Sequence, residues 1–338
     1  MKVAITGGSG FVGSAIYKEC LKRNQEVTLL DRTKPNYDLP EGVSWHHCDV
    51  SNEDLVKRSM GDVQPDQLYL LAGVLGTTEL IFQPAKAVRT NIGGVANFMQ
   101  LLAEGGELPP TFLVSKPSAW PNVYTTTKDA SKELMGFYMS HREMLNPPTK
   151  GLEGVIHKWF NAYGPGQHTH PIRKAVPYFI LKALENEPLR IHGDGIQTTD
   201  YIHIEDIAKI AVTAMNDYPL TGDKEIDVGT GVPRDINYLA ETIIRLSDSD
   251  SEIVHDNMRS GELPGTELVA NTVNVNRIMG GNKPGFRYQF KDFEEGMLET
   301  IDYYKSLPKK ERDSALNFYK KTEESESGLM DYFKRGKE

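Results

Sequence analysis

The chain has 338 residues, 39% hydrophobic and 25% charged, the size of one large α/β unit or of two lobes sharing a cleft. Its net charge of -9 disfavours nucleic-acid binding, which needs a basic surface, but leaves room for a local basic pocket. Cys20 and Cys48 are the only cysteines, too few for a disulfide framework or a cysteine-rich metal site. No apolar run approaches the ~20 residues of a membrane span, and the apolar start is too short for a secretory signal. The expectation is a cytoplasmic protein with no metal, no nucleic-acid partner and no membrane contact.

In chain order, residues 2–6 read as a buried parallel strand: short, apolar and ended by glycine. Helical spacing follows over 11–21. Strands are expected at 26–30, 43–47 and 67–71, a long helix over 84–103 and a strand at 111–115. A helix over 122–144 is stopped by Pro147-Pro148, and a strand resumes at 154–160. This alternation predicts an α/β fold, a doubly wound parallel sheet covered on both faces. After Asn161 the segments shorten and glycine and proline become frequent. We read residues 1–165 as the sheet domain, completed by chain near 200–230 that includes 226–228. Residues 166–306 read as a smaller, interleaved lobe. Residues 307–338 read as a charged tail, a peripheral helix or a frayed end.

The segment Gly7-Gly8-Ser9-Gly10-Phe11-Val12-Gly13 lies between a strand and a helix. Such a turn lets the backbone approach a pyrophosphate, whose charge the helix N-terminus stabilises. Asp31 ends the second strand, where an acid binds ribose hydroxyls and repels a 2′-phosphate, so NAD is favoured over NADP. The neighbouring Arg32 works against that preference. Asp49, followed by Val50, could reach the adenine edge or cap the next helix. Leu71, Ala72 and Gly73 end the fourth strand with small residues that let the backbone lie against the cofactor.

Tyr124 and Lys128 are four apart on one helical face. A free phenol has a pKa of about 10. A nearby ammonium and a nicotinamide cation both favour phenolate, which could then take a proton from a sugar hydroxyl. The competing reading is a chance pair on a solvated face.

These residues together resemble the extended short-chain dehydrogenase/reductase family, in its NAD-dependent epimerase/dehydratase branch. The resemblance spans residues 1 to about 305. Asn91 before Gly93-Gly94, the segment Phe160 to Gln167, the segment Ile191 to Asp206, and Arg259-Ser260-Gly261-Glu262 also carry it. It implies a Rossmann sheet domain, a substrate lobe and a nucleotide-sugar substrate, most often a UDP-sugar. It assigns Tyr124 as base and places Lys128 on the nicotinamide ribose. Asn161 would bind substrate, Arg259 would clamp the diphosphate, and Asn91 would be structural or part of a proton relay.

Two departures stand out. The family's catalytic Ser or Thr lies well before the tyrosine, whereas here Ser115-Lys116-Pro117-Ser118-Ala119-Trp120 runs almost directly into Tyr124. Ser118 is the first candidate for that hydroxyl and Ser115, also beside the cofactor, the second. The family's Arg before the later Asp is replaced in Thr198-Thr199-Asp200, leaving Arg259 and Lys174 or Arg173 for the phosphates. The short loop holds no acid, which favours a C4 epimerase or reductase over a 4,6-dehydratase; a decarboxylase and a silent NAD-binding sensor remain alternatives. Homodimerisation through the helices at 84–103 and 122–144 is the family's expectation.

Overall fold

The computed structural model describes residues 1–141, 144, 152–217, 225–259, 262–281 and 283–323. The first half runs β1 (Lys2–Thr6), α1 (Phe11–Lys22), β2 (Glu26–Asp31), β3 (Val43–His47), α2 (Glu53–Val63) and β4 (Gln67–Leu70). Then come the short α3 (Pro84–Ala87), a π-helical turn (Val88–Ile92), α4 (Gly93–Ala103), β5 (Thr111–Ser115), α5 (Val123–Ser140) and β6 (Gly154–Trp159). The second half runs β7 (Asn161–Tyr163), α6 (Ala175–Leu184), β8 (Leu189–His192), β9 (Thr198–His203), α7 (Ile204–Asp217), β10 (Glu225–Val228) and β11 (Pro233–Asp235). It ends with α8 (Ile236–Ser247), β12 (Ile253–Asp256), β13 (Glu267–Leu268), α9 (Val273–Gly280), α10 (Phe293–Ser306) and α11 (Lys309–Glu323).

Seven strands form one parallel sheet in the order β10-β6-β5-β4-β1-β2-β3. Side chains alternate between its faces. Val3, Ile5, Val27 and Leu29 pack under α1 and α7, against Ile16, Ile207 and Ile210. Ala4, Leu30, Leu68 and Leu70 pack on the other face, against Val95 and Phe98 of α4 and Met135 of α5. Both faces are covered, which is why the strands read as continuous apolar runs. The order reverses between β1 and β4, the switch point beside which ligands bind at the strands' carboxyl ends.

The second core gathers Tyr178 and Phe179 of α6, Leu239 and Ile243 of α8, Met297 and Ile301 of α10, and Tyr319 of α11. Here the charged C-terminal stretch differs from a frayed tail. Through Glu323 it is a helix that buries Ala315, Leu316, Phe318 and Tyr319 and leaves its lysines outside. One apolar stripe suffices to dock it, however charged its other faces.

The helix expected over 84–103 is interrupted, because its middle is the π-helical turn that carries Asn91. Single π-helical turns of this kind are frequent at functional sites. Helix α5 starts at Val123 because Asn122 caps it: Asn122 Oδ1 accepts from Thr125 N–H, and Thr125 Oγ1 accepts from Asn122 N–H, each at 3.0 Å. Such a cap stabilises a helix by about 1 kcal/mol. The helix ends at Ser140, short of the expected 144; Pro147-Pro148 lies outside the described residues. Among the described residues no helix is long and apolar enough to cross a membrane.

Candidate active site

The glycine turn sits between the end of β1 and the start of α1. Gly7 has a φ of +66°, and a Cβ there would lie 3.0 Å from the Ala72 backbone. At Gly13 a Cβ would meet Gly7 O at 2.5 Å and Gly8 Cα at 2.6 Å. Only glycine lets the helix start this close to the strand. Gly10 is the N-cap and no side chain caps this end, so its N–H groups remain for an anion. Phe11 and Val12 open the helix, with Val12 packed on the core and Gly166 lying against the Phe11 ring.

Asp31 is held at the end of β2. Its Oδ2 accepts from Ser9 N–H and its Oδ1 from Thr33 N–H, both at 3.1 Å, while Arg32 is exposed. Asp49 accepts from the Ser51 amide and hydroxyl, and Asn52 is the residue that caps α2. Val50 is buried and its carbonyl accepts from Asn97. The amides of Leu71 and Ala72 both donate to the Thr6 hydroxyl, at 3.0 and 3.1 Å. Asn91 Oδ1 accepts from Val74 N–H, and its Nδ2 donates to Val74 O and Thr127 Oγ1. Asn91 therefore ties the loop after β4 to the helix carrying Tyr124. Gly73 passes over it, where a Cβ would be 3.0 Å from Asn91 Oδ1. The uncapped helix start, the close glycines and the braced acid fit a dinucleotide.

Tyr124 and Lys128 share a face of α5, and Lys128 is buried. Burial pushes the phenol up to about 12 and the lysine down to about 8. The lowering of the phenol by Lys128 expected from the sequence is therefore not present in the free site, because desolvation disfavours both charged forms. Ser118 is exposed and donates to Trp120 O at 2.9 Å. Ser115 is buried, and its hydroxyl has no partner among the described residues. It alternates onto the same face as Leu113, beneath Met135 of α5.

Asn161 donates to Thr199 Oγ1 at 2.9 Å, so the threonine standing where the family has arginine braces a neighbouring strand. Asp200 is wholly buried. Its carboxylate accepts from Thr230 N–H and O–H, from Gly231 N–H at 2.7 Å and from Ala270 N–H. Arg259 lies 3.6 Å from buried Glu79 and 3.5 Å from Glu262. Lys174 and Arg173 are near enough to Arg259 for its charge to lower both of them, after desolvation. Ser260 and Gly261 lie outside the described residues.

Two members of this cluster were not singled out by the sequence reading. Glu79 is the one charged residue between Asp66 and Lys86, and its isolation was a signal. Lys116 follows directly on β5, at a carboxyl end where ligands bind, and its Nζ is 5.5 Å from the Tyr124 ring centroid.

The sequence pattern of the NAD dependent epimerase/dehydratase family matches residues 3–120 and 138–229, more than half of the chain. The chain belongs to this family. NAD is accordingly its cofactor, and the protein is an enzyme of the nucleotide-sugar epimerase, dehydratase and decarboxylase group. The match pauses over 121–137, most of the helix that bears Tyr124 and Lys128. Over 328 residues the chain is 26% identical to the UDP-N-acetyl-alpha-D-glucosaminuronate decarboxylase of Bacillus cytotoxicus, covering 90% of this chain and 97% of that one. It is also 26% identical over 357 residues to the dTDP-glucose 4,6-dehydratase of Salmonella typhimurium, covering 90% and 92%. The fold is similar to that of the Thermus thermophilus UDP-glucose 4-epimerase in complex with NAD, with a TM-score of 0.75 and 22% identity over 91% of this chain and 100% of that one.

Proposed function

We propose that this family member is a UDP-sugar 4-epimerase in which Tyr124 is the base. The observation that supports this reading is the loop from Ser115 to Tyr124, which carries two serines and a lysine but no carboxylate, with the Lys116 Nζ 5.5 Å from the Tyr124 ring centre. Eliminating water across C5 and C6 of a hexose requires a general acid there; inverting C4 does not.

In the free site Tyr124 is a neutral phenol, because burial holds it near 12. NAD held by the glycine turn and Asp31 would supply a hydride acceptor for the sugar and a positive charge that favours phenolate. With that charge and the Lys128 ammonium present, Tyr124 would give up its own proton to solvent and, as phenolate, accept the C4 hydroxyl proton as the C4 hydride leaves. It returns the proton when the opposite face is reduced. Ser115 serves as the relay hydroxyl in preference to Ser118, since its unpartnered oxygen lies on the α5 side of the sheet. Arg259 and Lys174 hold the diphosphate, and Asn161 keeps its Oδ1 for substrate while its amide braces Thr199. A homodimer through α4 and α5 belongs to the same proposal, with Phe137, 41% exposed on α5, as a residue it would cover. So does a cytoplasmic setting, consistent with two free, buried cysteines.

A second reading, decarboxylation of an acidic sugar, is favoured by the likeness to the Bacillus decarboxylase over 90% of the chain. Incubation with UDP-glucose and UDP-glucuronic acid, followed by proton NMR, separates the two. Epimerisation gives a C4-inverted hexose without accumulation of NADH. A UDP-pentose would establish decarboxylation. No change in either sugar, despite tight NAD binding, would point to a silent sensor.

A further inference from the structure

A buried carboxylate stands among the cations at the sugar end of the cleft. Glu79 is 3% exposed and opens the 3-10 turn Glu79–Phe82. A carboxylate taken out of water is costly unless nearby charges compensate. Arg259 does so, its Nη2 lying 3.6 Å from Glu79 Oε1, while Glu262 is 3.5 Å from its Nη1. Lys174 and Arg173 also feel the Glu79 charge, and Lys116 is close to Lys174. Glu79 is held in place. Asn91 binds both the amide and the carbonyl of Val74, and Leu80 N–H donates to Gly76 O. Gly76, at a φ of +116°, lies so close that a Cβ there would be 2.5 Å from Glu79 Oε2. Nor does Glu79 use up the donors of Arg259. A separation of 3.6 Å is longer than a hydrogen bond, and Glu79 Oε1 makes none among the described residues. A fixed carboxylate that attracts a guanidinium and leaves its N–H groups free keeps that cation ready for another anion.

We propose that Glu79 is a positioning residue, which gathers Arg259, Lys174 and Arg173 into one group before substrate arrives, so that they meet the diphosphate together. The inference rests on the proposed function, in which Arg259 and Lys174 hold the diphosphate. Without Glu79 the three cations repel one another. Lys174 is already lowered by burial and by Arg259, and Glu79 and Glu262 are the acids that keep its proton. Losing Glu79 leaves Glu262 alone in that task. Simple charge counting points the other way, because removing a negative charge from an anion site should tighten binding. The direction of the effect therefore separates positioning from unhelpful repulsion.

The test uses the NAD-loaded protein and UDP-glucose, with calorimetry between about pH 7 and about pH 9. Glu79→Gln should bind UDP-glucose about tenfold more weakly near pH 7, the loss expected when a charged group is no longer held for its ligand, with NAD affinity unchanged. Its affinity should also fall away at lower pH than in the wild type, since Lys174 then loses its proton sooner. Glu79→Asp, which keeps the charge, should recover most of the affinity. If Glu79→Gln does not retain NAD, Gly76→Ala decides: its methyl would displace the carboxylate without removing it, and UDP-glucose should again bind more weakly. Equal or tighter binding in Glu79→Gln, or in Gly76→Ala where that variant decides, overturns the inference and leaves the proposed function standing. So does weaker binding whose pH profile matches the wild type, because that marks a merely structural role. Wild-type protein that holds NAD but does not bind UDP-glucose overturns both.

Discussion

The two ends of the cleft are built differently. Around the glycine turn, the proposed NAD end, the shape is set by backbone, and three polar side chains already have partners: Asp31 is braced by two amides, Thr6 accepts two, and Asn91 uses both ends of its amide. At the sugar end Lys116 and Lys174 have no ion-pair partner among the described residues, and the Ser115 hydroxyl has no hydrogen bond. Satisfied groups hold a shape before a ligand arrives, whereas unsatisfied ones mark where a ligand completes the structure. The difference separates what the fold maintains from what the reaction requires.

The most damaging single change should be Tyr124→Phe, which removes one oxygen at the sugar end. Turnover should fall by about 10²–10⁴-fold, the range for loss of a general base, while NAD affinity and melting temperature stay near wild type. Unimpaired turnover would show that another group moves the proton.

Gly13→Val strikes the other end. Its Cβ would sit 2.5 Å from the Gly7 carbonyl oxygen, and overpacking of this kind costs about 1–3 kcal/mol. Both melting temperature and NAD affinity should drop together. A folded variant with normal NAD affinity would mean that the cofactor does not lie along this turn.

Asp31→Ala should weaken NAD by about tenfold or more, as loss of charge-assisted hydrogen bonds does, and narrow the gap to NADP. Comparing both affinities by fluorescence titration checks this. If NADP already binds wild type as well as NAD, Arg32 governs the choice.

Ser115→Ala should cost more turnover than Ser118→Ala, because the Ser118 hydroxyl is exposed and engaged by Trp120. The reverse order in a side-by-side kcat comparison would move the relay into the surface loop.

The smallest effect is on stability. Burial lowers Lys128 from 10.5 to about 8, so the folded state binds fewer protons than the unfolded chain between those values. The penalty for the buried ammonium is full below about pH 8 and fades as pH rises toward 10.5. Cofactor-free Lys128→Met should therefore melt higher than wild type at pH 7, with the gap closing across that window. A gap independent of pH would show that Lys128 is not titrating in the folded state.

The glycine turn and the braced acid were legible in the sequence because their signals are local. Seven consecutive residues make the turn, and Asp31 stands at the end of the next strand; parallel registers and apolar runs supplied the sheet. The sugar end draws on Glu79, Lys116, Lys174 and Arg259, which only folding brings together, and no spacing rule links them. Ser118 was the first candidate because it lies in the loop before Tyr124 while the sheet directs Ser115; in the proposed function Ser115 takes its place because strand alternation puts it on the face that α5 covers. The Asn91 interruption was hidden because no glycine or proline marks the turn over Val88–Ile92. For α11 the sequence left a peripheral helix and a frayed end both open, because lysines and glutamates surround its four-residue apolar stripe.

The central claim is inversion at C4 by removal and return of the same hydrogen. The most direct measurement is the fate of deuterium placed at C4 of UDP-glucuronic acid and UDP-glucose, followed by NMR and mass spectrometry in ordinary and heavy water. The account predicts a C4-inverted product that keeps its C4 deuterium and takes up none from heavy water. Loss of the C6 carbon, solvent deuterium at C5 with a missing C6 hydroxyl, or washout of the C4 label would contradict it.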